Sequence, residues 1–167
     1  MLYAAYGSNL HPMRIQQRTP SAQLLGTAAI AHQSLNFHKR GYTDFSGKCN
    51  MLPCHSSTVY VAVYDIPLAE MTLLDRHEGA GSGYDRALIS VDGFGDCVTY
   101  IAAAAHIDEA LSPFSWYKKL VLVGCEKLAF PNSYVEAIRA VPEVRDFEGD
   151  RHQANMRLVK ACKKWQR

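Results

Sequence analysis

Two short stretches carry residues whose types and spacing could do chemistry. The first is Tyr6-Gly7-Ser8-Asn9-Leu10, where small and polar residues interrupt an apolar run begun at Leu2. Such a cluster can take positive φ and leave successive backbone N–H groups unpaired. The following His11-Pro12-Met13-Arg14-Ile15-Gln16-Gln17-Arg18 reads as a short helix with Pro12 in its first turn. Free N–H groups beside the positive end of a helix make a cradle for a carboxylate or phosphate. A plain strand-to-helix turn would use the same residues. The second stretch runs from Leu73 to Tyr84, where a helix bearing Glu78 gives way to three glycines within five residues. A carboxylate at a helix C-terminus faces the negative pole of the helix dipole, and a proton-transfer role would account for keeping it there. On placement alone, Glu78→Gln is expected to gain a few tenths of a kcal/mol, roughly the size of that dipole contact.

Other groupings are weaker. Gly79-x-Gly81-x-Gly83 has the wrong spacing for a dinucleotide fingerprint, and it follows a helix and precedes a strand. His38, Cys49, Cys54 and His55 could be drawn as zinc ligands, but no second close pair completes a tetrahedral set, so no metal is expected. Cys49 or Ser8 beside a histidine could form a nucleophile and base, yet with seven histidines in the chain some such pairing is unavoidable.

The elements that position these residues follow from composition and periodicity. A chain of 167 residues, 48% hydrophobic and 20% charged, fits one domain with a core of ordinary size. A net charge of +2 argues against a nucleic-acid partner, and the basic run Lys160–Arg167 suits a solvated tail. No leader pattern opens the chain and no apolar run approaches about 18 residues, so a soluble, cytoplasmic protein without a membrane partner is expected. Five cysteines without paired spacing read as reduced thiols. Leu24–Ala31 and Ser34–His38 read as one long or two short strands, followed by a loop over 41–47 whose Tyr42 and Phe45 could cover a pocket. Thr58–Ile66 is the clearest strand, with both faces apolar. Pro67 opens a helix with Leu68, Met71, Leu74 and Leu73 inward. Ala87–Val91 and Cys97–Ile101 form a hairpin across Asp92–Asp96, which makes the sheet largely antiparallel. Helices follow over Phe114–Gly124, capped by Ser112, and from Pro131 to Val141; a last one is expected near Asn155–Lys164.

Taken together, Tyr6-Gly7-Ser8-Asn9-Leu10, Leu74-Asp75-x-x-Glu78-Gly79 with Ser82-Gly83-Tyr84, Thr99-Tyr100-Ile101 and Trp116-Tyr117-Lys118-Lys119 resemble, in order and spacing, the γ-glutamylcyclotransferase family, related to AIG2-like and BtrG-like proteins. The resemblance implies an α+β fold, a small mixed β-barrel with flanking helices, in a domain over 1–145 followed by a charged tail over 146–167. It implies conversion of a γ-glutamyl amino acid or amine to 5-oxoproline without a cofactor. Glu78 would be the general base and then acid. Tyr6, Gly7, Ser8, Asn9, Leu10, Tyr84, Tyr100 and Tyr117 would bind substrate. A homodimer is compatible with it. Two other readings remain at this point: biosynthetic removal of a γ-glutamyl protecting group, and a non-catalytic module that binds a small acidic metabolite. Asp85 and the segment after Asp146 depart from the family pattern.

Overall fold

A computed structural model describes residues 1–166. Its frame is a long antiparallel pair, β2 (Gln23–Arg40) and β3 (Gly47–Asp65), in register from Gln23 opposite Asp65 to Arg40 opposite Gly47. The apolar pattern of β2 breaks where the register shifts, at Leu24/Gly26, Ala31/Gln33 and Asn36/Lys39, with His32 at φ 60° in the second of these. These bulges explain why one strand reads as two. They also explain why Asn50–Pro53, now inside β3, shows no strand pattern of its own.

On β3 the residues Val59, Val61 and Val63 and, on the opposite face, Ala62 and Tyr64 are all fully buried. β1 (Leu2–Ala5) lies beside it, antiparallel to β3 and parallel to β5 (Gly95–Ala102), which pairs with β4 (Tyr84–Val91) as a hairpin. The order is β2-β3-β1-β5-β4. With β2 and β4 at the two edges, the ladders of the described residues make a five-stranded mixed sheet that is not closed into a barrel. Because β1 is central, the turn that follows it emerges from the middle of the sheet.

α1 (Pro12–Gln16) starts at His11, whose Nδ1 accepts the Met13 N–H at 3.2 Å. After Pro67 the chain makes a 3-10 turn, Leu68–Glu70, before α2 (Met71–Glu78). The tighter turn changes the phase of the helix, so Met71 and Leu74 are buried while Leu68 and Leu73, expected inside, are 69% and 37% exposed. α3 (Ser115–Lys127) crosses the core and is buried on most of its surface. Ser112 does not cap it: Phe114 occupies the cap position, and the Ser112 carbonyl accepts the Gly47 N–H. At Gly124 a Cβ would come within 2.5 Å of Leu10 Cβ, so this glycine lets α3 pack directly beneath the β1–α1 turn. α4 (Asn132–Ala140) follows, with Val135 and Ile138 buried.

α5 (Gly149–Lys164) begins well before the expected Asn155, because its start is set by a cap rather than by apolar periodicity: the Glu148 carboxylate accepts the N–H groups of Asp150 and Arg151. It packs on α3 with Val159 and Cys162 buried. Ahead of it, the buried Asp146 accepts from Trp116 Nε1 at 2.9 Å and from Arg151 Nε at 2.7 Å and Nη2 at 2.6 Å. Arg151 holds the Asp146 carboxyl down to about 2, below its ordinary 3.8. The folded state therefore takes up this proton later than the unfolded chain. The stabilisation is complete above about pH 4 and is lost as pH falls toward 2, with a size of roughly 2 kcal/mol. Asp146→Asn should accordingly lower the thermal midpoint at pH 7, and the gap to the wild type should narrow as pH drops below 4; a gap independent of pH would contradict this.

Candidate active site

The turn after β1 is closed by the Leu10 N–H, which donates to the Gly7 carbonyl at 3.0 Å. None of Gly7, Ser8 and Asn9 is among the positive-φ residues, contrary to the expectation from their types. Gly7 is needed for space instead: a Cβ there would stand 3.1 Å from Cys49 Cβ. Among the described residues, the N–H groups of Gly7, Ser8 and Asn9 donate to no protein acceptor, which leaves an anion cradle at the wall of a recess. Leu10, expected to touch substrate, does not reach the recess. It is fully buried, and its carbonyl accepts from the Tyr64 hydroxyl at 2.6 Å.

α2 brings Glu78 to the same recess. Gly79, at φ 67°, ends the helix in the left-handed conformation immediately after Glu78. One turn earlier, Asp75 accepts from Arg86 Nε at 2.6 Å and Nη2 at 2.5 Å and from the Tyr100 hydroxyl at 2.8 Å, which pins α2 to β4 and β5. Glu78 Oε1 accepts from Arg18 Nη1 at 2.5 Å and from Asn9 Nδ2 at 2.9 Å, while Oε2 has no protein partner among the described residues. Arg18 thus offsets the unfavourable dipole contact. Asn9 Oδ1 and Arg18 Nε are buried without a partner, the kind of unsatisfied polar atom that a bound ligand can complete.

Five tyrosines complete the walls: Tyr3, Tyr6, Tyr84, Tyr100 and Tyr117. Burial pushes all five hydroxyls up from their ordinary pKa, so they are neutral donors rather than anions near Glu78. Three of those protons are already committed. Tyr6 donates to the Tyr100 carbonyl, Tyr84 to the Cys49 carbonyl and Tyr100 to Asp75. Tyr3 and Tyr117 differ: the Tyr3 oxygen accepts from Asn9 Nδ2 at 3.1 Å and the Tyr117 oxygen accepts the Cys49 N–H at 3.1 Å, and neither proton is given to a protein oxygen or nitrogen among the described residues. Tyr3 and Tyr117 thus keep a proton available to the recess, of which Tyr117 also faces the outer cavity, while the Tyr100 proton is spent on Asp75 of α2. The recess, about 30 Å³, opens past Ser8, Glu78, Tyr84 and Tyr117 into an outer cavity of about 650 Å³, whose wall includes Arg14, Lys39 and Trp116. Tyr42 lines that cavity, whereas Phe45 stays 66% exposed away from it.

The structure does not draw His38, Cys49, Cys54 and His55 together. His38 bonds Glu109 and Asn50, Cys49 lines the recess, Cys54 Sγ lies beside Ser57, and the His55 carbonyl pairs with His32. Burial pushes the Cys49 thiol up to about 12, so it is not an activated thiolate near neutral pH. Arg18, Asp75 and Tyr3 join the site without having been expected there, and Cys49, weighed above as a nucleophile or zinc ligand, joins it as part of the wall. Asp75 lies inside the quoted Leu74–Gly79 motif, but Arg18 reaches Glu78 only through the folded proximity of α1 and α2.

The ion pair reverses one expectation. Arg18 and Glu78 side chains are only 13% and 15% exposed, so Glu78→Gln strips a counter-ion from a largely buried guanidinium. The variant should lose about 1–3 kcal/mol of stability rather than gain a few tenths. Thermal melts of Glu78→Gln and wild type check this, and an unchanged or raised midpoint would show that the pair contributes nothing.

Residues 58–138 match the model of the AIG2-like family. The chain is 28% identical over 157 residues to human γ-glutamylcyclotransferase, spanning 89% of this chain and 81% of that protein. Against the bovine γ-glutamylcyclotransferase it is 28% identical over 154 residues, with the same coverage. A solved γ-glutamyl cyclotransferase superposes with a TM-score of 0.84 at 25% identity, covering 96% of this chain and 98% of that one. By sequence and by fold, the chain is similar to γ-glutamylcyclotransferases, and its central part to the AIG2-like family.

Proposed function

We propose that this protein cyclises a γ-glutamyl amino acid or amine to 5-oxoproline and releases the free amino acid or amine. The observation that carries the reading is the pairing, in one recess, of N–H groups that meet no protein acceptor with a carboxylate that keeps one oxygen without a protein partner among the described residues. The cradle suits the substrate α-carboxylate, and Glu78 Oε2 suits the α-ammonium beside it. A non-catalytic module for a purely anionic metabolite would have no use for a carboxylate in that position, and turnover separates the enzyme from a module that merely holds an acidic amino acid.

The substrate carries its own nucleophile. Once Glu78 takes a proton from the α-ammonium, the amine attacks the γ-carbonyl carbon and a new C–N bond closes the five-membered ring. As the tetrahedral intermediate collapses, the old amide C–N bond breaks and Glu78 returns its proton to the leaving nitrogen. The second proton that the attacking nitrogen sheds on becoming a lactam N–H leaves with the departing amine. Holding the chain bent for this attack is worth up to ~7–11 kcal/mol, so positioning supplies much of the rate. Arg18 and Asn9, both on Oε1, orient the base. Tyr117, which keeps a proton to donate and stands where the recess meets the outer cavity, steadies the oxyanion.

The test is a panel of γ-glutamyl compounds offered to the purified protein with no cofactor added. At least one should yield 5-oxoproline, and its Nα-acetyl counterpart, which has no free amine, should yield no free amino acid. Release from no panel member would sink the reading; release from the acetylated compound would indicate hydrolysis through an enzyme nucleophile. Because neither thiolate nor metal enters the scheme, Cys49→Ser, Cys54→Ser and chelator treatment should each leave kcat within about tenfold. A trapped acyl-enzyme or a metal-dependent rate would contradict it.

A further inference from the structure

We propose that Lys39 selects the leaving group, its ammonium receiving the carboxylate of a departing amino acid or peptide in the outer cavity. The proposal rests on the γ-glutamyl reading above and assigns the residue that makes the choice between amino acid and plain amine.

Lys39 lies near the end of β2, paired with Lys48 of β3 and bridged to Ile107 on its other side, so its backbone is held from both flanks. Lysine normally extends its charge to water, yet Lys39 is 4% exposed. Of the other cations near the site, Arg18 has Glu78 and Lys48 has Asp44 at 2.7 Å; Arg14 and Arg76, on the same cavity wall, make no ion pair among the described residues, but Arg14 is only half-buried and bonds Gln17, and Arg76 is exposed. Among the described residues Lys39 Nζ makes no ion pair and no hydrogen bond; it stands over the Tyr84 ring, 4.5 Å from its centre. The stem of Lys39 is buried while its ammonium lines the outer cavity, so a charge held in a confined, partly desolvated place has no protein counter-ion, and an anion entering the cavity would supply one.

Room for this ammonium is built into the chain at Gly83, where a Cβ would come within 2.8 Å of Nζ. This gives the Ser82-Gly83-Tyr84 stretch a role that the reaction at Glu78 does not use: Gly83 clears the space and Tyr84 supplies the aromatic face. Burial pulls the Lys39 pKa down and the Glu78 carboxylate pulls it back up, which places the ammonium within the field of the base. In an amino-acid leaving group the carboxylate is joined through a single carbon to the nitrogen that Glu78 protonates. Its receptor must therefore lie in the outer cavity close to Glu78, as Lys39 does.

The test compares γ-glutamyl-alanine with γ-glutamyl-ethylamine, which has the same skeleton without the carboxylate. The ratio of their kcat/KM values cancels any difference in the fraction of folded enzyme. Wild type should favour the alanine compound at least tenfold. Lys39→Met should cut the ratio by ~10- to 100-fold, the worth of a hydrogen bond to a charged group, mainly through KM for the alanine compound. Lys39→Arg should keep most of the preference, and Gly83→Ala should erode it. A wild-type ratio near one, or a Lys39→Met ratio within threefold of wild type, would overturn the proposal. Equal loss of turnover on both compounds would assign Lys39 to the reaction centre and overturn it as well. Wild type inactive on both, and on the wider panel, would instead remove the cyclisation reading itself, and this proposal with it.

Discussion

A carboxylate at the end of a helix, at the unfavourable pole of the dipole, needs a partner from elsewhere, and the architecture around the site supplies one. Arg18 arrives from just beyond α1 and Asn9 from the turn before it, and both engage the same oxygen of Glu78. This contact joins the two segments that carry the chemistry, the turn after β1 and the end of α2. It also divides the carboxylate into an oriented half and a free half. Without it, Glu78 would be one more solvated residue at a helix terminus.

The rest of the fold brings these two ends together. β1 occupies the middle of the sheet between β3 and β5, which fixes where the turn emerges. From below, α3 supports the turn, packing so closely at Gly124 that Leu10 becomes a wedge in the core rather than a wall of the recess. α2 is held down by Asp75, which ties to Arg86 on β4 and to Tyr100 on β5. Tyrosines fill the remaining walls, and since burial keeps them neutral they shape the recess without adding charge.

How far the sequence could be read depended on whether the signal was local. Alternation over Val59–Tyr64 and the glycine-bearing turn of the β4–β5 hairpin are local, and both elements stand where the pattern puts them. Leu68 and Leu73 face outward because a 3-10 turn shifted the helical phase, which residue types alone do not reveal. The start of α5 was hidden because a capping carboxylate, not an apolar stripe, sets it. In the site, Tyr6, Gly7, Ser8, Asn9, Glu78, Tyr84, Tyr100 and Tyr117 gather around one recess. Arg18 was illegible for the opposite reason: its meaning lies wholly in a long-range contact. Lys39, too, resembles any strand lysine until its burial and its missing counter-ion are seen.

The central claim is that Glu78 moves the proton. Glu78→Gln keeps the shape and some hydrogen-bonding capacity but cannot accept that proton, so the decisive quantity is its kcat on a turned-over γ-glutamyl substrate, measured well below the variant's own melting temperature. The account predicts a fall of at least ~10²-fold with substrate still bound. A variant that stays within tenfold of wild-type turnover would show that the base lies elsewhere.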